Sequence, residues 1–201
     1  MSRVTPRNPT VSHMRKLEKI KIAAAQQFYA VGYAATDMRG LADAVNLHVS
    51  TLYTYVTGKE ELLYLIMKDG MAEITAAFDK ALASTNDPIA RMEAAIEAHL
   101  MHHATRRFLA WTGQVELRSI TGDYREEILR LRDDYEARWL ELIRAGQRSG
   151  VFAASDAKVA AYVILGMGHS VASWYRPDGR LSAEKVAERI AGQLLNGLLA
   201  R

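Results

Sequence analysis

Residues Gly32 to Leu62 read GYAATDMRGLADAVNLHVSTLYTYVTGKEEL, and this stretch decides the fold. Thr36 suits the N-cap of a short helix over Met38–Val45. Asn46 and Leu47 then turn the chain into a further helix, about His48–Val56, which Gly58 ends. Leu41, Val45, Leu47, Leu52 and Val56 are spaced to pack the two short helices together. The second of them is left to expose Val49, Ser50, Thr51, Tyr53 and Thr54. These side chains are small or amphipathic and suit close approach to a DNA major groove. An ordinary helical hairpin usually exposes Glu, Lys and Gln instead.

Outward from this stretch, nearly everything reads as helix. Leu17, Ile20, Ala24, Phe28 and Val31 fall on one face of a helix running from about Arg15 to Val31, with Gly32 as its stop. Before it, Met1–His13 holds Arg3, Pro6, Arg7 and Pro9 without periodicity and reads as a disordered basic arm. After it, Lys59 begins a long helix to about Ser84. Further helices are predicted near Pro88–Thr105, Phe108–Ile120, Tyr124–Ser149, Asp156–Trp174 and Ser182–Leu199. Asn86-Asp87-Pro88, Gly122-Asp123, Gly150 and Pro177-Asp178-Gly179 mark breaks. No period-2 strand pattern appears. The expectation is an all-α chain: arm 1–13, a three-helix helix-turn-helix head 14–60, and a helical-bundle body 61–201.

Charge agrees with that division. Residues 1–60 hold eight Lys/Arg against four Asp/Glu, and residues 61–201 hold eighteen against nineteen. A basic head on a near-neutral body suits contact with a polyanion through the head, although a solubilising role explains the charge equally well. There is no cysteine, which excludes disulfides and thiolate chemistry. No apolar run approaches the length of a membrane span and the first residues are polar, so a cytoplasmic protein is expected.

The head resembles the TetR family of transcription regulators. The resemblance rests on Gly32-Tyr33, Thr36, Leu41-Ala42, Leu52-Tyr53-Thr54-Tyr55-Val56 and Lys59-Glu60-Glu61-Leu62, in the family's order. Asn46 replaces the usual turn glycine, and Asn tolerates the left-handed conformation well. His48 stands where an N-capping Ser is usual, which loosens the start of the recognition helix. The resemblance implies that Arg39, Val49, Ser50 and Thr51 face base edges, with Arg39 suited to guanine and Val49 to a thymine methyl. It implies phosphate contacts for Thr36, Tyr53, Tyr55 and Lys59.

The same resemblance implies a homodimer joined through its last two helices, on a palindromic operator. Ala157, Ala160, Ala161, Gly166, Gly168 and Ala172 give one of them a small-sided surface; Val186, Ile190, Leu194 and Leu198 form a stripe on the other. Glu116-Leu117-Arg118-Ser119, Gly166 to Val171 and Trp174 to Ser182 resemble the branch that responds to acyl-coenzyme A thioesters from fatty-acid or sterol catabolism. Trp111, Tyr162, Met167, Trp174 and Tyr175 suit the apolar part of such a pocket, and Glu116 and Arg118 join them as ligand-binding candidates. Arg106, Arg107, Arg118 and Arg176 suit phosphates.

His99, His102 and His103 share one helix face, a spacing that metal sites use. No carboxylate at helical spacing completes an obvious set except Glu97, which points elsewhere, or Glu116, so His99 and His103 are expected at a polar end of the pocket, with no metal or cofactor. Glu116 and Arg118 lack an accompanying nucleophile or phosphate loop, so no catalysis is expected. Three readings stand on sequence: a ligand-released repressor, an effectorless architectural DNA-binding protein of the same fold, and a repressor of an efflux gene sensing a drug-like ligand.

Overall fold

The computed structural model describes residues 10–199, and among them the fold is all-α. Helix α1 spans Val11–Val31 and begins where the Thr10 hydroxyl accepts from the His13 amide at 3.2 Å. Helix therefore occupies the last residues of the arm expected at 1–13; the rest of that arm, including Arg3 and Arg7, lies outside the described residues. Gly32, at φ 87° and ψ 155°, takes an extended positive-φ conformation that suits glycine and stops α1. Helix α2 spans Met38–Ala44, and its N-cap is Asp37 rather than Thr36: the carboxylate accepts from Gly40 N at 2.8 Å. Asn46 makes the following turn at φ 54°.

Helix α3 is shorter than its periodicity predicts, covering only Val49–Leu52. Residues 53–55 continue as turns, since Thr54 and Tyr55 donate to the carbonyls of Thr51 and Leu52, three residues back. Its N-cap, His48, makes no side-chain capping bond.

The body follows as α4 (Lys59–Leu82), α5 (Pro88–Thr105), α6 (Arg107–Val115), α7 (Gly122–Arg148), α8 (Ala157–Trp174) and α9 (Ala183–Leu198). Asp87, Asp156 and Ser182 cap α5, α8 and α9 with their side chains. The helix expected over 108–120 stops at Val115 and tightens into a 3-10 turn over Glu116–Ser119. A lone antiparallel bridge joins Phe152 to Leu199.

Two apolar cores hold these elements. Ile20, Ala24, Phe28, Leu41, Leu52 and Val56 fill the head, and Leu62, Leu63 and Ile66 of α4 belong to the same cluster. Ile120 and Ile128 extend that cluster into the body, so the head is wedged against the body rather than hung from it. The body core centres on Trp139, fully buried against Phe78, with Met92, Ile96, Leu100, Ile143 and Ile164 around it. Burial of each such side chain contributes about 1.5–3 kcal/mol. Outside this core, α8 leaves Val159, Tyr162, Val163 and Trp174 about half exposed along one face.

Candidate functional site

On the head, Arg39, Val49, Ser50, Tyr53 and Thr54 are exposed. Thr51 and Tyr55 are half-buried, and the Tyr55 ring stacks on His13 at 4.4 Å. The α3 face thus carries small polar side chains, with Arg39 supplying a charge from α2.

Two of the expected phosphate ligands are occupied otherwise. Thr36 is buried, and its hydroxyl donates to the Gly32 carbonyl at 2.9 Å. The Lys59 ammonium donates to the carbonyls of Tyr33 and Thr36, both at 2.7 Å, and lies over the Tyr33 ring. The α1–α2 loop has carbonyls to satisfy and uses the first lysine of α4 to do so.

The body holds a half-open cavity of about 380 Å³ between α4, α5, α6, α7 and α8. Ile66, Met67, Met71 and Ile74 form its α4 wall, with Leu109 and Ala110 from α6 and Leu165 and Gly166 from α8. Its polar lining comes from His99, His102, His103 and His169, with Gln114, Arg132, Tyr135, Glu136 and Tyr162.

The histidines are neutral. Burial pushes all four down, His102 and His169 to about 4, and the neighbouring imidazoles add to the effect at His99, His102 and His169. His103 Nδ1 lies 2.9 Å from the His99 carbonyl, which can only accept, so Nδ1 carries the proton and Nε2 is an acceptor. His99 Nδ1 meets the Tyr135 hydroxyl at 3.0 Å. His99 Nε2 is sealed without a hydrogen-bond partner. Gly168 makes this closure possible: a Cβ there would stand 2.3 Å from His99 Nε2. Among the described residues no group of three or more His, Asp or Glu is arranged to hold a metal ion.

Helix α6 separates cavity from head and serves both. Leu109, Ala110, Gly113 and Gln114 face the cavity. On its other side Phe108 and Trp111 pack edge-on against Tyr29 of α1, and the buried Thr112 hydroxyl donates to the Ala25 carbonyl at 3.4 Å. Just beyond α6, Glu116 accepts from the Tyr33 amide at 3.3 Å and from Ser119 Oγ at 2.8 Å. Glu60 of α4 accepts from the amide and hydroxyl of Thr121 at 2.7 and 2.9 Å.

These positions revise the expected ligand set. His99, His103 and Tyr162 line the cavity; Trp111, Glu116, Arg118, Met167, Trp174 and Tyr175 do not. Trp111 faces α1, Glu116 faces the loop after it, and Arg118 is exposed on the 3-10 turn. Met167 packs on the body core, Tyr175 is buried in it beyond the end of α8, and Trp174 lies on the outer face of that helix. The arginines expected to meet phosphates are also absent from the wall. Arg106 pairs with Glu73, and Arg107 and Arg176 donate to the Tyr175 carbonyl. Arg132 is the arginine that does line it. Its signal was present in the sequence, because Ile128, Arg132, Tyr135, Trp139, Leu142 and Gly146 recur at helical spacing on the inward stripe of α7.

Comparison with known proteins places both halves of the chain. Residues 22–64 match the family described as bacterial regulatory proteins, tetR family, and residues 85–198 match the tetracyclin repressor-like C-terminal domain. The chain is 25% identical over 186 residues to the HTH-type transcriptional repressor KstR2 of Rhodococcus jostii, covering 92% of this chain and 91% of that one. It is 32% identical to the TetR family regulator PfmR of Thermus thermophilus, with a TM-score of 0.82 over 91% of this chain and 100% of that one. AibR, solved in complex with isovaleryl coenzyme A and operator DNA, is 27% identical, with a TM-score of 0.75 over 90% of this chain and 98% of that one.

Proposed function

Because the chain belongs to the TetR family of bacterial regulatory proteins, whose members are transcription regulators and not enzymes, we propose that it is a homodimeric repressor released from a palindromic operator by an acyl effector in coenzyme A thioester form. The observation that carries this reading is the double duty of α6, whose one face lines the cavity while the other holds Ala25 and Tyr29 of the head.

Two heads would present two α3 faces to successive half-sites, with Arg39, Val49, Ser50 and Thr51 reading bases and Tyr53, Thr54 and Tyr55 near the backbone. The exposed apolar face of α8 supplies the contact between protomers, since one recognition helix alone gives a weak site. Its DNA target puts the protein in the cytoplasm, and among the described residues no helix is long and apolar enough to cross a membrane. An effector binds the cavity better in one arrangement of α6 than in the other, and that difference in affinity is what moves the heads. The open cavity, with Trp111 and Trp174 away from it, disfavours an effectorless architectural protein.

The thioester form is supported by the isovaleryl coenzyme A bound to AibR, and the volume of about 380 Å³ suits an acyl group. The test is release of a fluorescent operator fragment, followed by anisotropy, with matched free acids, their thioesters and coenzyme A alone. Release by thioesters alone supports the reading. Dissociation by an unrelated molecule, with thioesters inert, refutes it.

A further inference from the structure

Arg132 is out of keeping with the cavity around it. Its Nη2 donates to the Gly113 carbonyl at 2.8 Å, and among the described residues no carboxylate pairs with it. Glu136, one turn further along α7, is the other charged group in the wall, and its carboxylate lies 3.9 Å from Lys158 on the outside of α8. The neighbouring imidazole of His169, pushed down to about 4 by burial and the charges near it, offers no anion. A guanidinium presents five N–H donors in a fixed plane, so most of this fork is unspent. Burial and the nearby Arg125 both bear against its charge, and no carboxylate offsets them. Arg132 is half-buried, so water solvates part of its charge, yet a partly desolvated cation without an anion still favours the arrival of one.

We propose that Arg132 receives an oxyanion of the effector, and that this capture is the event which alters α6. The inference rests on the effector reading above and adds the chemistry of the ligand's polar end.

The second part follows from what Arg132 already holds. Gly113 lies in the last turn of α6, where carbonyls have no following helical amide to accept from. Arg132 supplies that missing donor and so fastens the end of α6 to α7. An arriving carboxylate or phosphate oxygen is a stronger acceptor than a peptide carbonyl and draws the fork towards itself. The end of α6 then loses its fastening one residue from Thr112 and three from Glu116, the two side chains here that hydrogen-bond to the head.

Oxyanion chemistry has two sources here, the carboxylate of a free acid and the phosphates of a thioester. The test therefore uses decanoate against 1-decanol, and decanoyl-coenzyme A against decanoyl-pantetheine, titrated calorimetrically into the intact protein. At least one charged probe is expected to bind about tenfold more tightly than its neutral counterpart. Arg132→Met is expected to close that gap to within about threefold, and Arg132→Lys to keep part of it, because the charge survives without the fork. The pair that shows the gap identifies the source. Equal binding of charged and neutral probes by the natural protein overturns the proposal without any variant, so the test does not depend on Arg132→Met folding. A gap that survives in a folded Arg132→Met protein overturns it as well. Failure of every probe to bind or to release the operator, over chains of about four to twelve carbons, overturns the effector reading and this inference with it.

Discussion

The Lys59 ammonium sits 4.3 Å from the centre of the Tyr33 ring while donating to the carbonyl of that same residue at 2.7 Å. With its bond to the Thr36 carbonyl, this ties the loop between α1 and α2 to the start of α4. Lys59→Ala should therefore lower stability by about 1–3 kcal/mol in chemical denaturation, because carbonyls lose a charged donor. The salt dependence of non-specific DNA binding should stay unchanged. A salt slope reduced by about one unit, with stability intact, would return Lys59 to the DNA backbone.

Base reading is separable from backbone contact. Arg39→Ala and Thr51→Ala should each cost about 1–3 kcal/mol on the operator and leave binding to random DNA nearly unchanged. Competition anisotropy with the two DNAs measures both numbers together; equal losses on each would remove these side chains from base readout.

The four cavity histidines make stability depend on pH. Their folded pKa values lie below the ordinary 6.5, with His102 and His169 at about 4. The unfolded chain therefore takes up protons that the folded one refuses between pH 6.5 and 4, and stability falls as pH drops through that window. The contribution is at most about 3 kcal/mol for each of His102 and His169, and less in sum because the imidazoles interact. Denaturation midpoints at pH 7.5 and 5 check this, and His169→Gln should flatten the difference. A midpoint that does not fall on acidification would show the histidines to be solvated.

Thr112 bears on coupling more than on binding. Thr112→Val keeps the shape and removes the bond to Ala25. Effector affinity measured without DNA should change little, while the ratio of operator affinities with and without effector, expressed as a coupling free energy, should shrink by about 0.5–2 kcal/mol. An unchanged ratio would route the signal elsewhere.

Assembly can be probed where the cavity is not disturbed. Val163 lies on the exposed face of α8 and outside the cavity lining, unlike Gly166. Val163→Glu should give monomers in sedimentation and weaken operator binding by well over an order of magnitude, since two half-sites become one. A stable dimer from this variant would put the interface on another face.

The head was readable because its signals are local. Asn46 at φ 54° and Gly32 at φ 87° are backbone conformations that residue type announces. The end of α3 was not, because Leu52 and Val56 are both buried whether the residues between them coil as helix or as tighter turns. In the body, periodicity separates inward from outward side chains but does not say whether an inward one meets empty space or another side chain. Tyr175 and Tyr162 illustrate this: one fills the body core and the other borders the cavity. Glu116 and Lys59 escaped for a different reason, since their partners are backbone groups distant in sequence or set by loop geometry.

The two-sided construction of α6 bears on any attempt to turn the protein into a reporter for a compound of choice. Substitutions at Leu109 or Ala110 would retune recognition and signal strength together, because each is adjacent to a residue that grips the head. Met71 on α4 and Leu165 on α8 border the same space without touching that grip. A biosensor engineer who diversifies those two positions first, and leaves the short helix alone, searches for new selectivity with the output gain held constant.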